Sequence, residues 1–176
     1  NSQKIIGETN IDIPKHDGHL KIKKVWLKPV VKINPNAEKA ILEADVVIIG
    51  PGDLYTSILP NLLVKGIIAA IERSNAKKIL ITNIMTKAGQ TDGFKASDFI
   101  QVLQDYLGAT KLDGVIVNNK KPAVKFLSAY KKENAEFVKP DIGQKALLLS
   151  QAVYKKSSAD KLTRSFLRHD ADKTAK

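Results

Sequence analysis

Apolar and polar positions along the chain switch between short continuous runs and the wider spacing of a helix face. From Lys21 to Leu27, the positions Ile22, Val25 and Leu27 predict a partly buried strand ended by Pro29. Asn34-Pro35 reads as an N-cap with proline at the first helical position, where no amide hydrogen bond is lost. Ala37, Ala40, Ile41 and Ala44 follow on one face, so a short helix is expected. It feeds Val46-Val47-Ile48-Ile49, a β-branched run of the kind buried on both faces of a parallel sheet, which predicts a central strand.

Beyond Gly50-Pro51-Gly52, residues Leu59, Leu62, Leu63, Gly66, Ile67, Ala70 and Ile71 recur at helical spacing, with Pro60 in the first turn. The alternation then repeats. Ile79, Leu80 and Ile81 mark a strand over Lys78 to Thr82, Asp98 to Leu107 is helical and stopped by Gly108, and Val115-Ile116-Val117 is a third strand. A helix over Ala123 to Lys132 places Val124, Leu127 and Tyr130 on a shared face. Strands separated by helices of this length imply right-handed crossovers and a mainly parallel α/β sheet. No segment resembles the glycine-rich first turn that opens a complete Rossmann unit. The chain also begins at Asn1 without an initiator methionine, and the expectation is one domain, residues 1–176, lacking an N-terminal half that is removed or supplied separately.

Composition narrows the picture. At 176 residues, with 43% hydrophobic and 27% charged residues, the chain can bury a core without staples. It has no cysteine, which excludes disulfides, thiolate metal sites and thiol chemistry and points to the cytoplasm. Its apolar stretches fall short of the roughly 20 residues that a membrane span needs, and Asn1 to Lys15 lacks the apolar region of a signal peptide. The 29 basic against 18 acidic side chains give a net charge of +11. Lysines are scattered, however, and Arg73, Arg164 and Arg168 are the sole arginines. Without clustered arginine and interleaved aromatics, nucleic acid is not the expected partner, and the basic surface reads as one that attracts anions.

In open parallel sheets ligands bind beyond the carboxyl ends of the strands, which directs attention to three loops. The first is Gly50-Pro51-Gly52-Asp53-Leu54-Tyr55-Thr56-Ser57, followed by Asn61 in the helix. Its glycines permit close approach, Thr56 and Ser57 offer hydroxyls, and a helix N-terminus supplies free amides for a phosphate; the same residues would also serve simply to turn the chain and cap the helix. The second runs from Asn83 to Asp92 and contains Thr86, Gly89 and Thr91, fit either to hydrogen-bond a sugar or base or to sit in solvent. The third is Asn118-Asn119-Lys120-Lys121, whose lysines are ordinary surface unless a ligand recruits them. His16 and His19 flank Asp17 without a third strong ligand, so no metal site is expected. Arg168-His169-Asp170 joins a cation able to fork onto phosphate to a His-Asp pair. No nucleophile-base order or carboxylate pair is legible, and no catalytic residue can be nominated.

Ala44 to Val64, ADVVIIGPGDLYTSILPNLLV, closely resembles the signature of the bacterial gluconeogenesis factors, also described as cell-shape regulators that bind UDP-N-acetylglucosamine. NIMTKAGQTDGFKASDFI, from Asn83 to Ile100, resembles the family's second signature, and Arg168-His169-Asp170 with Lys173 its C-terminal one. Gly7-Glu8 with Ile11 is similar to a segment that precedes the first strand. The resemblance spans nearly the whole chain and corresponds to the family's C-terminal half.

It implies a three-layer Rossmann-like fold related to 2-phospho-L-lactate transferase, with a phosphorylated small molecule, the nucleotide sugar, in a cleft at the strand ends. Tyr130 and Arg168 resemble positions implicated in nucleotide-sugar binding. The implied activity is that of a binding regulator of central carbon metabolism and cell shape rather than an enzyme. The alternative is a phosphoryl-group transferase, in which Asp53 would hold Mg²⁺. Homo-oligomers are compatible with either. The chain departs from the family at Asp53, where serine is usual, at Lys87, Ala88 and Gln90, where glutamine, proline and glutamate are usual, and at Phe99, which replaces histidine. Asp53 would repel a phosphate unless a cation or a ribose hydroxyl meets it.

Overall fold

The protein is described here by a computed structural model covering residues 3–14, 20–143, 147–150, 152–154 and 167–175. His16, Asp17, His19 and Arg164 lie outside the described residues.

A short helix α1 (Glu8–Asp12) is followed by an extended segment and then α2 (Pro35–Glu43). The expected strand over Lys21 to Leu27 does not form. Val25 is buried as the periodicity required, but its amide donates to the Tyr106 hydroxyl at 2.9 Å instead of entering a ladder. Burial was therefore legible there, whereas pairing was not, because an apolar pattern does not specify a neighbouring strand. Asn34 does cap α2: its Oδ1 accepts the Asn36 amide at 2.8 Å.

Strand β1 (Val46–Ile49) leads through a wide helical turn, Leu54–Ile58, into α3 (Leu59–Leu62) and then α4 (Ile67–Arg73). Gly66 separates the last two with φ +106°, and a Cβ there would stand 2.8 Å from Ile33 Cγ2, so only glycine fits this bend. Next come β2 (Lys77–Ile81), α5 (Ala96–Leu107), β3 (Gly114–Asn118) and α6 (Val124–Lys132). The C-terminal part contributes β4 (Leu147–Ser150), β5 (Ala152–Tyr154), β6 (Leu167–His169) and α7 (Ala171–Thr174). Strands β1 to β4 form one parallel sheet in that order, and β5 and β6 pair as a separate antiparallel ribbon. This is a three-layer Rossmann-like α/β arrangement.

The main core joins the sheet to α3, α4 and α5 through Leu59, Ile71, Leu80, Phe99, Leu103, Leu107 and Val117. A smaller cluster of Ile84, Met85 and Tyr130 lies under α6. Two packing expectations need correcting. Among the described residues β1 is an edge strand, not a central one, and Val46 and Ile48 are 49% and 60% exposed. Val124 is 82% exposed and does not share the buried face of Tyr130, because it sits in the first turn of α6 beyond the cluster's reach. No helix among the described residues is long and apolar enough to cross a membrane.

Candidate ligand site at the strand ends

Because β1, β2 and β3 are parallel, the segments after Ile49, Ile81 and Asn118 emerge on the same side of the sheet. Gly50 turns there with φ +87°, and its α-carbon lies so close to β2 that a Cβ would be 2.7 Å from the Ile81 carbonyl oxygen. The first loop is thereby pressed onto the end of the second strand.

From Leu54 the chain is continuously helical to Leu62. The Asp53 carbonyl accepts from the Ser57 and Ile58 amides at 2.8 and 3.0 Å, which opens the first turn wider than an α-helix. Helix geometry leaves the amides of Leu54, Tyr55 and Thr56 without intrahelical acceptors. Leu54 and Tyr55 turn their side chains into the core at 2% and 5% exposure, so they anchor the turn and present backbone rather than side chains to a ligand. Burial, reinforced by Tyr106 and Asp105, pushes the Tyr55 hydroxyl up to about 12, and it stays protonated. Beside the turn runs a cleft of about 410 Å³ whose apolar wall includes Val47, Ile49, Leu62 and Ile71. Gly50, Pro51, Gly52, Ser57 and Asn61 form its more polar end. Asn61 holds the turn by donating to the Ser57 carbonyl at 2.7 Å.

The second loop is more ordered than a solvated loop would be. Thr86 is buried, donates its amide to the Glu136 carbonyl at 2.7 Å and accepts the Glu136 amide on its hydroxyl at 2.8 Å. Thr91 is buried and accepts the Lys87 amide at 2.8 Å. Both threonines hold the loop's shape. Asn83 is different: its side-chain oxygen is buried and has no hydrogen-bond partner among the described residues. Asn118 is 1% exposed and donates to the Lys120 carbonyl at 2.8 Å, fixing the third loop.

Tyr130 is 9% exposed, and its hydroxyl accepts the Leu167 amide at 2.9 Å. It thus braces the segment carrying Arg168, which is exposed and makes no ion pair among the described residues. Next to it His169 reaches the Thr82 carbonyl at 2.8 Å, and Asp170 caps α7 through the Asp172 and Lys173 amides. The C-terminal signature therefore meets the end of β2, one residue before Asn83.

Asp12, which the sequence pattern did not assign to the site, converges there with Lys87 and Gln90 of the second loop. Lys87 Nζ lies 2.8 Å from Asp12 Oδ1 and 3.1 Å from Asp53 Oδ2, and Gln90 Nε2 donates to the same Asp12 oxygen at 3.4 Å. Burial works against the charge on Lys87, but hydrogen bonds and attraction from Asp12 and Asp53 prevail and hold the ammonium above its ordinary range. Burial likewise opposes ionisation of Asp12, and the Lys87 contact overrides it, keeping that carboxyl below the usual range. The cation that Asp53 required is thus Lys87. A carboxylate and an ammonium replacing neutral residues in two loops of one site were the available signal for that pairing. Among the described residues no group of three or more histidine, cysteine, aspartate or glutamate side chains could hold a metal.

These features define a parallel α/β protein with a glycine-bounded helical turn at its strand ends. The family described as 2-phospho-L-lactate transferase CofD matches residues 1–157, and the chain belongs to that family. A putative gluconeogenesis factor from Thermotoga maritima is 43% identical over 139 residues, covering 79% of this chain and 43% of the relative. The gluconeogenesis factor of Halalkalibacterium halodurans is 44% identical, with coverage of 75% and 40%. A crystal structure of a UPF0052 family member from Bacillus halodurans superposes with a TM-score of 0.83 at 37% identity, covering 97% of this chain and 53% of that one. The chain spans about half the length of the relatives it matches or less.

Proposed function

We propose that the chain contributes the phosphate-receiving part of a binding site for a nucleotide sugar, UDP-N-acetylglucosamine or a close analogue, in a cytoplasmic regulator of carbon metabolism and cell shape. The observation that carries this reading is the turn at Gly50 to Ser57. Two glycines and three amides without intrahelical acceptors face the carboxyl side of a parallel sheet, where a helix N-terminus favours anions. The apolar cleft beside the turn accommodates a base or sugar, and the unpaired Asn83 oxygen offers an acceptor for a hydroxyl or an imino group. The relatives' name, gluconeogenesis factor, supports the regulatory role.

The exposed strand β1 borders the same cleft, and the relatives are about twice as long. The remaining half of such a protein would cover this edge and complete the site. A second reading, phosphoryl-group transfer, is favoured by the family description and by the Asp53 carboxylate, which would then hold Mg²⁺. Pairing of Asp53 with Lys87 favours the binding reading, since the carboxylate already has its cation.

Calorimetry with a panel of nucleotide sugars tests the first reading. Saturable binding of UDP-N-acetylglucosamine that Gly52→Val weakens is expected. Turnover of a phosphodiester donor, lost on Asp53→Ser, would replace regulation by catalysis.

A further inference from the structure

Asp12, Asp53 and Lys87 come from α1, the first loop and the second loop, and meet at the mouth of the proposed site. The lysine ammonium has three N–H donors, and the two carboxylates take two of them. Thr56 Oγ1 stands 3.5 Å from Asp12 Oδ1, linking the group to the wide helical turn. Gln90 reaches the same oxygen through its amide nitrogen. It is only 5% exposed, and its amide oxygen has no hydrogen-bond partner among the described residues.

Two carboxylates beside a phosphate-receiving turn are donors with which proteins hold a divalent cation whose shell is completed by phosphates. Here a tethered ammonium sits between the carboxylates. With two N–H groups on the carboxylates, a third donor remains for a ligand oxygen.

We propose that Lys87 is a built-in counter-cation that takes the place of a divalent metal, joining Asp12 and Asp53 to the diphosphate of the ligand so that binding needs no metal. The bridging role rests on the nucleotide-sugar reading above, whereas the substitution of ammonium for metal rests on the cluster alone. A charge count explains why the lysine matters. Without it, two half-buried carboxylates would stand uncompensated beside an incoming phosphate, and an external cation would have to neutralise them.

The test has two arms, both on the purified protein, with thermal melts confirming that the variants fold. In the metal arm, Mn²⁺ binding is followed by loss of the free-ion EPR signal. Lys87→Ala and Lys87→Gln are expected to bind Mn²⁺ at least about tenfold more tightly than the parent, and adding Asp53→Asn to Lys87→Ala is expected to remove the gain. In the ligand arm, the parent should bind UDP-N-acetylglucosamine with affinities that agree within about twofold in Mg²⁺ and in EDTA. Lys87→Ala should bind about tenfold more weakly in EDTA and recover when Mg²⁺ is added. No gain in Mn²⁺ affinity in either lysine variant, a gain that survives Asp53→Asn, or a parent that needs Mg²⁺ would each overturn the proposal. If the metal arm behaves as expected but no protein binds the nucleotide sugar in either buffer, the ligand reading falls and the metal-substituting role of Lys87 stands.

Discussion

His169 Nε2 lies 2.8 Å from the carbonyl oxygen of Thr82, tying β6 to the residue that follows β2. Through this contact the C-terminal signature, 87 residues distant in sequence, takes its place beside the strand ends.

This tie is expected to be pH-dependent. Burial, partly opposed by the hydrogen bond to Thr82, holds the imidazole below its ordinary value of 6.5. The unfolded chain therefore takes up the proton more readily as the pH falls. Stabilisation from neutral His169 is complete above about 6.5 and is lost as the pH drops towards the lower folded-state value. The protection factors of the Leu167 and Arg168 amides, with intrinsic exchange divided out, should fall below 6.5, and His169→Gln should flatten that dependence. An imidazole titrating above 6.5 by NMR would reverse the sign and refute the argument.

Gly50→Ala should destabilise the protein by about 2 kcal/mol through combined backbone strain and the clash with the Ile81 carbonyl. Gly93 provides the comparison, since it also has positive φ, +70°, but a Cβ there meets nothing within 4 Å. Melting temperatures should fall further for Gly50→Ala than for Gly93→Ala, at about 2–4 °C per kcal/mol for a chain of this size. Equal losses would show that close approach to β2 is not what requires glycine at position 50.

Local chemistry made much of this fold legible. The Asn34 cap, the β-branched run into β1, the stop at Gly108 and the two crossovers from β1 to β3 follow from short-range signals, whereas β4 at Leu147–Ser150 was not anticipated. What was not legible depends on partners. Val46-Val47-Ile48-Ile49 has the composition of an interior strand, yet no described strand covers its outer side. Lys21 to Leu27 buries Val25 without gaining a ladder. In the site, the glycine turn was visible because its residues are contiguous. For the Lys87 cluster, the charged replacements at Asp53 and Lys87 hinted at one pair, but Asp12 was not legible, because it lies 75 residues from Lys87 and nothing in either neighbourhood encodes their meeting.

Tyr130→Phe should cost about 1 kcal/mol, the worth of one hydrogen bond to the Leu167 amide. Its expected effect on nucleotide-sugar affinity is indirect and runs through the segment bearing Arg168. Tyr130→Phe and Arg168→Ala should accordingly be non-additive in a double-mutant cycle read by calorimetry. Strict additivity of the two losses would mean that Tyr130 acts on the ligand independently of the segment it braces.

Arg168 should supply the charged half of phosphate recognition, with the amides of the Leu54 turn supplying the neutral half. Guanidinium forms bidentate bonds to phosphate, and a charge-assisted hydrogen bond is worth about 1.5–3 kcal/mol. Arg168→Ala is therefore expected to weaken nucleotide-sugar binding about tenfold or more. Melting should hardly change, because the side chain is exposed and makes no ion pair among the described residues. Gly52→Val probes the other half. A Cβ at Gly52 makes ordinary contacts, 3.4 Å from Ser57 Cβ and 3.6 Å from Ile58 Cγ1, so the fold should tolerate it while the added branches crowd the approach to the turn. Calorimetry and melts on both variants decide the matter. If both fold and bind as tightly as the parent, the site is not at this loop; if Arg168→Ala alone binds normally, the turn receives the phosphate without the arginine.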